Sequence, residues 1–457
     1  MKITPTIRTE IQTYLRRKGL SMTKFGRIID LNVGTVSSIV TGNRTISMHQ
    51  LDRITLGMDL PPDYFYERYI EECIMEEPLN WKRISPFLYR CVQFRRVDCL
   101  QKVVSILLDK PNYLHYLFEL AEDCYEEGYQ EAAAYLYENI AEGEKQQHSE
   151  RLATCQYRLF MIQVGDDQNR NLKAATRFES FVERLDEVVQ LDALKDLGNV
   201  YRSLREWDKV DEMAKALGIK AEIQYKLELQ QQKTQKENTK KPVYPLFVYW
   251  AFAHLIQAEV CDAKKDYATS FKHIQKYADL SWVEEKDEKT LKWKNQFREW
   301  ASANTYVNRL MSGDLSVLPD YVAYFSTKED EVLSAIDNIV EAANLYNINV
   351  DHILELFEVE IQSFLNEQSQ VGVYTKQIIS ERFMHFSKEL ANYYLNKGIY
   401  SVGFIFLLSC LAKSTLINNK SYIIKCVKLY ESYKQYASSE TKAAYRNLIN
   451  EVDEDET

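Results

Sequence analysis

Apolar residues near the N-terminus recur at the spacing of α-helices. Ile7, Ile11 and Leu15 lie four residues apart, which places them on one face of a helix that ends at Gly19. Three more short segments with helical spacing follow, and each begins after a residue type that commonly caps helices. We therefore predict four short helices before Tyr66. The predicted caps of the last three are Ser21, Asn32 and Ser47, and their predicted buried positions are Phe25, Ile29, Val36, Ile39, Leu51, Ile54 and Met58.

The second and third of these helices are joined by only a short turn at Asp30 and Leu31. Two short helices joined in this way and braced by flanking helices form a helix-turn-helix, whose last helix enters the DNA major groove with its N-terminal end first. The outer face of the third helix carries small and polar residues, which suits contacts with base edges and phosphates. The residues predicted to contact DNA are Ser21, Met22, Asn32, Val33, Gly34, Thr35, Ser37, Ser38, Asn43 and Arg44.

This N-terminal stretch resembles the Xre/lambda-repressor-like helix-turn-helix family. The resemblance covers roughly residues 7–66 and rests on GLSMTKFGRIIDLNVGTVSSIVTGNRTIS at 19–47. In one departure, Leu15 and Val40 stand where many members bury an Arg–Glu pair. Apolar residues can replace a buried ion pair without loss of stability, so the fold is expected to persist. The alternative is a four-helix module that docks a protein and binds no DNA.

After Tyr66 the pattern changes to longer amphipathic helices with short breaks. Segments 197–217 and 390–410 resemble tetratricopeptide repeats, with a small residue in the first helix and large apolar residues around it. We therefore predict an all-α fold, in which a lambda-repressor-like head precedes a right-handed, tetratricopeptide-like superhelix. Weaker copies begin near Leu120, Leu152, Ala258, Ala303 and Ala343. The predicted divisions are 1–68 for the head, 69–110 for connecting helices, 111–450 for the repeats and 451–457 for an acidic tail.

Four of the predicted repeats share a signature in which Gly or Ala is followed by Asn, and then by Tyr two residues later. Each Asn is expected to face the concave side of the superhelix, so that the four form a ladder. An Asn amide offers a donor and an acceptor, and can therefore pair with a peptide backbone. The alternative is that Asn is simply tolerated on a hydrated helix face. The predicted peptide-binding residues are Asn199, Arg202, Trp300, Asn304, Asn308, Asn344 and Asn392.

An Xre-type head followed by tetratricopeptide-like repeats resembles the RRNPP family of peptide-sensing regulators. The resemblance implies a quorum-sensing transcription regulator that acts as a homodimer on a palindromic DNA operator. It also implies that a short signalling peptide binds the concave face and changes the spacing of the two heads. The alternative is a DNA-binding regulator whose repeats dock another protein.

Charge and cysteine content agree with this interpretation. The formal net charge is −10, yet residues 1–68 contain 10 Lys or Arg and 6 Asp or Glu, which favours a polyanionic partner for the head. The eight Cys are scattered and form no C-x-x-C pair, as is typical of reduced cytosolic proteins. No signal peptide is evident, and the longest apolar run, near 403–412, is too short to span a bilayer. We therefore expect a cytoplasmic protein with no membrane partner.

Catalytic motifs are not evident in the sequence. We find no Gly-rich phosphate loop, no H-E-x-x-H and no Ser-His-Asp constellation. His115 and His254 lie in apolar helical settings, where a hydrogen-bonded core histidine is the expected role. We therefore expect no enzymatic activity, no cofactor and no metal site.

Overall fold

The structure, a computed structural model, is helical throughout the residues that it describes, which are 5–76, 78–144, 149–234, 241–328, 331–367 and 376–454. It contains 24 α-helices in these ranges and no β-strand, which confirms the predicted all-α class. None of these helices combines the length and the apolar composition that crossing a bilayer requires. The chain forms two compact units, Met1–Ile162 and Gln163–Thr457.

The first unit holds ten α-helices, the last of which ends at the unit boundary. A π-helix, Ile70–Met75, continues directly from the fifth. The α-helices are α1 Ile7–Lys18, α2 Met22–Ile28, α3 Val33–Val40, α4 Met48–Gly57, α5 Tyr66–Tyr69, α6 Trp81–Gln93, α7 Val97–Leu108, α8 Leu114–Glu126, α9 Gln130–Gly143 and α10 Glu150–Gln163.

Helices α1–α4 begin where the sequence predicted, after the expected caps, whereas α2 and α3 each end two residues before the predicted ends at Asp30 and Gly42. The side chains of Ser21, Asn32 and Ser47 accept hydrogen bonds from backbone N–H groups of the helices that follow them. Gly19 has a φ of 62°, in the left-handed region that glycine tolerates best, and it caps α1. Every apolar residue that was predicted to be buried in these four helices is at most 7% exposed.

Helices α1–α4 are bonded to the helices that follow them in the first unit. Four polar contacts lead from α1, α4 and the turn after α4 to α5, α6, the residue before α7 and the π-helix, and aromatic side chains of α5 pack on Phe87 of α6. The predicted boundary at residue 68 therefore falls within α5, a helix that contacts the elements on both sides of it. The polar contacts are Arg68–Glu10 (2.6 Å), Ile7 N–Glu72 Oε1 (2.8 Å), Arg90–Asp52 (2.9 Å) and Arg96–Asp63 (2.8 Å).

The second unit contains fourteen α-helices within the described residues. Neighbouring helices along the chain pack against each other, most extensively α13 with α14, α21 with α22, and α14 with α15. The helices are α11 Gln168–Glu179, α12 Val189–Leu204, α13 Trp207–Thr234, α14 Leu246–Ala263, α15 Tyr267–Ala278, α16 Glu288–Met311, α17 Leu318–Phe325, α18 Val332–Tyr346, α19 Asp351–Leu356, α20 Glu358–Glu367, α21 Lys376–Asn396, α22 Tyr400–Leu416, α23 Lys420–Tyr433 and α24 Ser439–Glu454.

The C-terminal helices of the second unit return to its N-terminal helices. Helix α21 packs against both α18 and α12. Gln168 N donates to Ile417 O (2.9 Å), and Gln377 Nε2 donates to Gly165 O (3.2 Å). Arg205, which follows α12, forms an ion pair with Glu381 of α21 (2.6 Å). The N-terminal and C-terminal helices of the second unit are therefore linked by hydrogen bonds and by an ion pair.

All eight cysteines are free thiols, and all but Cys261 are buried. Helix α24 extends to Glu454, so the predicted acidic tail at 451–457 begins within a helix. Residues 455–457 of that tail lie outside the described ranges.

Candidate functional site

The residues that were predicted to contact DNA lie in α3 and beside it, at the start of α2 and after α3. None of the ten is buried, and Val33, an apolar residue, is 44% exposed. Asn32 Oδ1 accepts a hydrogen bond from Gly34 N (2.8 Å), so its Nδ2 is the atom that can donate to a phosphate. The exposed residues are Ser21, Asn32, Val33, Gly34, Asn43 and Arg44, and the half-buried ones are Met22, Thr35, Ser37 and Ser38.

The turn between α2 and α3 is held in place by contacts that fix how α3 projects. A Cβ atom added at Gly26 would lie 2.7 Å from Leu31 O, so α2 approaches the turn too closely for any larger residue. Arg53 of α4 bonds to Asp30 Oδ2 across the turn (2.6 Å). The sequence analysis did not identify Arg53, because its partner lies 23 residues away.

A cavity of about 320 Å³ in the second unit is lined mainly by α12, α14, α16, α18 and α21, and also by the first residues of α13 and α15. This volume is at the lower end of the range of about 300–1,000 Å³ that is typical of ligand sites. Four aromatic and seven ionisable side chains are among its lining residues. The lining residues are Asn199, Arg202, Arg205, Trp207, Phe252, Leu255, Ala258, Glu259, Asp262, Ala263, Tyr267, Trp300, Asn304, Val307, Met311, Asn338, Glu341, Ile378, Arg382 and His385.

Four of the seven predicted peptide-binding residues line this cavity, namely Asn199, Arg202, Trp300 and Asn304. Asn304 Nδ2 donates to Tyr277 OH (2.8 Å), and Asn199 Oδ1 accepts from Arg202 Nη1 (3.5 Å). Asn304 Oδ1 and Asn199 Nδ2 have no hydrogen-bond partner among the residues that the structure describes. One amide therefore offers an acceptor and the other a donor.

The remaining three predicted residues lie outside the cavity lining, so the structure brings only two of the four predicted ladder asparagines, Asn199 and Asn304, to this cavity. Asn308 is buried and donates from Nδ2 to Tyr267 O (2.9 Å). Asn344 Nδ2 donates to Glu389 O (2.9 Å) and to Glu389 Oε2 (2.7 Å). Asn392 Oδ1 accepts from Asn396 Nδ2 (3.4 Å). Asn344 turns away because the buried Glu389 carboxylate requires hydrogen-bond donors.

A buried charge network lies beside the cavity on α18 and α21. His385 Nδ1 bonds to Asp337 Oδ1 (2.9 Å), and His385 Nε2 lies 3.7 Å from Glu341 Oε2 and 3.9 Å from Glu389 Oε1. Burial alone would lower the pKa of His385, but Asp337 and the neighbouring carboxylates outweigh it and raise the pKa to about 9. His385 is therefore an imidazolium at neutral pH.

Asp262 is a carboxylate of the cavity lining that forms no ion pair within the described part of the chain. It accepts a hydrogen bond from Asn308 Nδ2 (3.4 Å). Burial raises the pKa of Asp262 to about 6, and the nearby carboxylates of Glu259 and Glu341 add to the shift.

The sequence analysis missed Asp262, Glu341 and His385, which lie on three different helices and share no motif. A usable signal was present for Glu341 and His385, each of which stands between buried apolar positions of its helix, but not for Asp262, which is followed by exposed residues. No group of His, Cys, Asp and Glu that could hold a metal ion occurs in the ranges that the structure describes.

Comparison with known proteins adds no family assignment, because no protein-family model and no curated protein matches this chain.

Proposed function

We propose that this chain is a DNA-binding transcription regulator of the RRNPP type, controlled by a short peptide that binds in the cavity of the second unit. One observation carries the proposal. Residues chosen from sequence signatures about 100 positions apart, Asn199 with Arg202 and Trp300 with Asn304, meet at a single cavity. Asparagines that are merely tolerated on a hydrated helix face would not be expected to line one cavity from two different helices.

The first unit supports the DNA-binding half of the proposal. Helix α3 has an exposed face of small and polar side chains, and Asn32 caps its N-terminus. A helix N-terminus favours phosphate, and small side chains let the backbone approach the groove. In a cytoplasmic homodimer, two such helices would bind the half-sites of a palindrome about 34 Å apart.

The cavity supports the peptide-binding half. Asn199 Nδ2 would donate to a peptide carbonyl, and Asn304 Oδ1 would accept from a peptide N–H group, which together satisfy an extended backbone. Trp300 adds an aromatic surface for a side chain. Control of DNA binding requires that the peptide bind one conformation of the regulator more tightly than another.

DNA binding is tested by selecting sites for the full-length chain from a random duplex library and measuring affinity by fluorescence anisotropy. Replacing Ser38 and Arg44 together by Glu places negative charge on the α3 face, and we expect an affinity loss of at least tenfold. The matched control is Ser105→Glu with Lys110→Glu, which makes the same change in charge at exposed positions in and after α7. Failure to select any site, or equal binding by both double variants, would contradict the proposal.

Peptide binding is tested by calorimetry with peptides that are retained by the full-length chain from a randomised heptapeptide pool. We expect Asn304→Ala to weaken binding about tenfold, because it removes one backbone contact. Asn392→Ala is the control, since Asn392 belongs to the same sequence signature but lies outside the cavity lining. Equal affinities for the two variants would exclude the cavity as the peptide site. A chain that retains no peptide would favour the alternative, in which the second unit docks another protein.

A further inference from the structure

The cations that line the cavity have partners within the protein, whereas Asp262 forms no ion pair among the described residues. Arg202 pairs with Glu259 (2.6 Å), Arg205 with Glu381 (2.6 Å) and His385 with Asp337 (2.9 Å). Arg382, the remaining cation of the lining, donates to Ser334 Oγ (2.7 Å). Each of these cations therefore already has a partner within the protein.

Asp262 does not pair with the lysine that is nearest to it in the chain. Lys264, two residues further along the chain, pairs with the exposed Asp208 instead (2.7 Å). Asp262 also lies in the last turn of α14, where the backbone carbonyls carry partial negative charge. Burial, the helix end and the neighbouring carboxylates of Glu259 and Glu341 all disfavour the ionised form. A carboxylate in such surroundings destabilises the unliganded fold, which is characteristic of binding sites.

The surroundings of Asp262 suit a cation in two further ways. Phe252, Tyr267 and Trp300 line the same cavity, and aromatic faces attract ammonium and guanidinium groups. Arg202, whose side chain is only 8% exposed, has an Nε atom without a hydrogen-bond partner in the described residues. A ligand that brings a cation together with a carbonyl oxygen would satisfy both Asp262 and this donor, as a peptide can.

We propose that the cavity selects peptides that carry a cationic group, which Asp262 binds as its counter-ion. The group is either a Lys or Arg side chain or the free amino terminus of the peptide. This inference rests on the proposed function, because it names the class of peptide that the same cavity takes. It makes Asp262 a specificity-determining residue.

The test uses two pools of randomised heptapeptides, both amidated at the C-terminus. One pool is acetylated at the N-terminus and the other has a free amino group. The full-length chain is incubated with each pool at pH 7.5, and retained peptides are identified by mass spectrometry after ultrafiltration. If the cation is a side chain, we expect the wild type to enrich peptides with Lys or Arg at least fivefold from the acetylated pool. If the cation is the amino terminus, we expect the wild type to retain at least fivefold more peptide from the free-amino pool than from the acetylated pool. The arm that shows enrichment identifies the source of the cation.

Three variants make the test specific to Asp262. Asp262→Asn keeps the shape of the side chain and should abolish the enrichment, whereas Asp262→Glu keeps the charge and should retain part of it. Asp279→Asn is the matched control, because Asp279 is exposed and an Asn can still accept the hydrogen bond from Ser281 N. Thermal unfolding checks that each variant is folded.

Each outcome decides one question. Retention of peptides without preference for a cation, or a preference that survives in Asp262→Asn, would overturn this inference and leave peptide binding intact. Retention of no peptide from either pool would overturn the inference together with peptide control of the regulator.

Discussion

Arg205 and Glu381 are 176 residues apart in the chain, and their side chains form an ion pair with 2.6 Å between Nε and Oε1. The same carboxylate oxygen accepts a hydrogen bond from Tyr422 OH (2.9 Å). This ion pair joins the end of α12 to α21, and both helices line the cavity.

Replacing Glu381 by Gln should destabilise the second unit. The neutral amide would leave Arg205 a largely buried cation without a counter-charge, and breaking such a pair typically costs several kcal/mol. Because Arg205 is 33% exposed, we expect a smaller loss, about 2 kcal/mol in the free energy of unfolding measured by urea denaturation. The control is Asp208→Asn, which breaks the exposed pair with Lys264 and should leave stability nearly unchanged, because solvent screens exposed ion pairs. Equal effects would show that the α12–α21 pair is not a structural link.

The stability of the second unit should fall as the pH rises from about 6.5 to about 9. The pKa of His385 is raised from 6.5 to about 9, because Asp337 outweighs the effect of burial, so the folded unit holds this proton more tightly than the unfolded chain. The resulting stabilisation is fully present below pH 6.5 and is lost as the pH rises through 9. The groups that face His385 are Asp337, Glu341, Glu389 and Arg205.

We therefore expect the wild type to lose about 2 kcal/mol of unfolding free energy between pH 7 and pH 9.5, and His385→Gln to lose much less. Urea denaturation at both pH values measures the difference. An identical pH dependence in the two proteins would show that another group is responsible.

Replacing Asp262 by Asn should stabilise the unliganded protein at neutral pH. Burial raises the pKa of Asp262 from 3.8 to about 6, so the folded state favours the protonated acid. The associated stability is present below pH 3.8 and is lost as the pH rises through 6, which leaves a destabilising carboxylate at pH 7.5. Asn308, Ser270, Glu259 and Glu341 face this group.

We expect Asp262→Asn to raise the free energy of unfolding by about 1–2 kcal/mol at pH 7.5 and to give a smaller gain at pH 4.5. The exposed Asp279→Asn should give no gain at either pH. A loss of stability in Asp262→Asn at pH 7.5 would mean that the carboxylate has a stabilising partner after all.

Two glycines near the α2–α3 turn should differ in how much alanine costs. At Gly26 the new Cβ would lie 2.7 Å from Leu31 O, so Gly26→Ala must displace the turn, and we expect a loss of about 2–3 kcal/mol. Gly34 is exposed in the first turn of α3, where a new Cβ would lie 3.2 Å from the capping Oδ1 of Asn32 but would meet no backbone atom, so Gly34→Ala should change stability by less than about 1 kcal/mol. Thermal unfolding monitored by circular dichroism separates the two. The prediction for the turn fails if both variants melt alike.

The helices of the head were predictable because their determinants are local. The caps at Ser21, Asn32 and Ser47 act within three residues, and the apolar period lies within single helices. The all-α class follows from the same patterns. By contrast, the α12–α21 link depends on side chains that are far apart in the chain, and no local pattern marks them.

The cavity was predictable only in part. Asn304 and Asn344 share the same local signature, but Asn304 lines the cavity, whereas Asn344 satisfies the buried Glu389. The signature determines which helix face carries the amide, and the neighbouring helix determines what the amide contacts. Asp262 and His385 were missed for the same reason, since their role depends on charges that tertiary packing brings near them.

The bracing of α1–α4 by the following helices limits where the chain can be cut or joined to another protein after α4. Tyr66 and Tyr69 are fully buried against Phe87, and Asp52 of α4 is paired with Arg90 of α6. A fragment cut at residue 68 would separate the two tyrosines and leave an aromatic surface open to water. A chimaera that grafts a foreign head at that position would inherit the same defect, so a workable exchange has to carry α5 and α6 along with α1–α4.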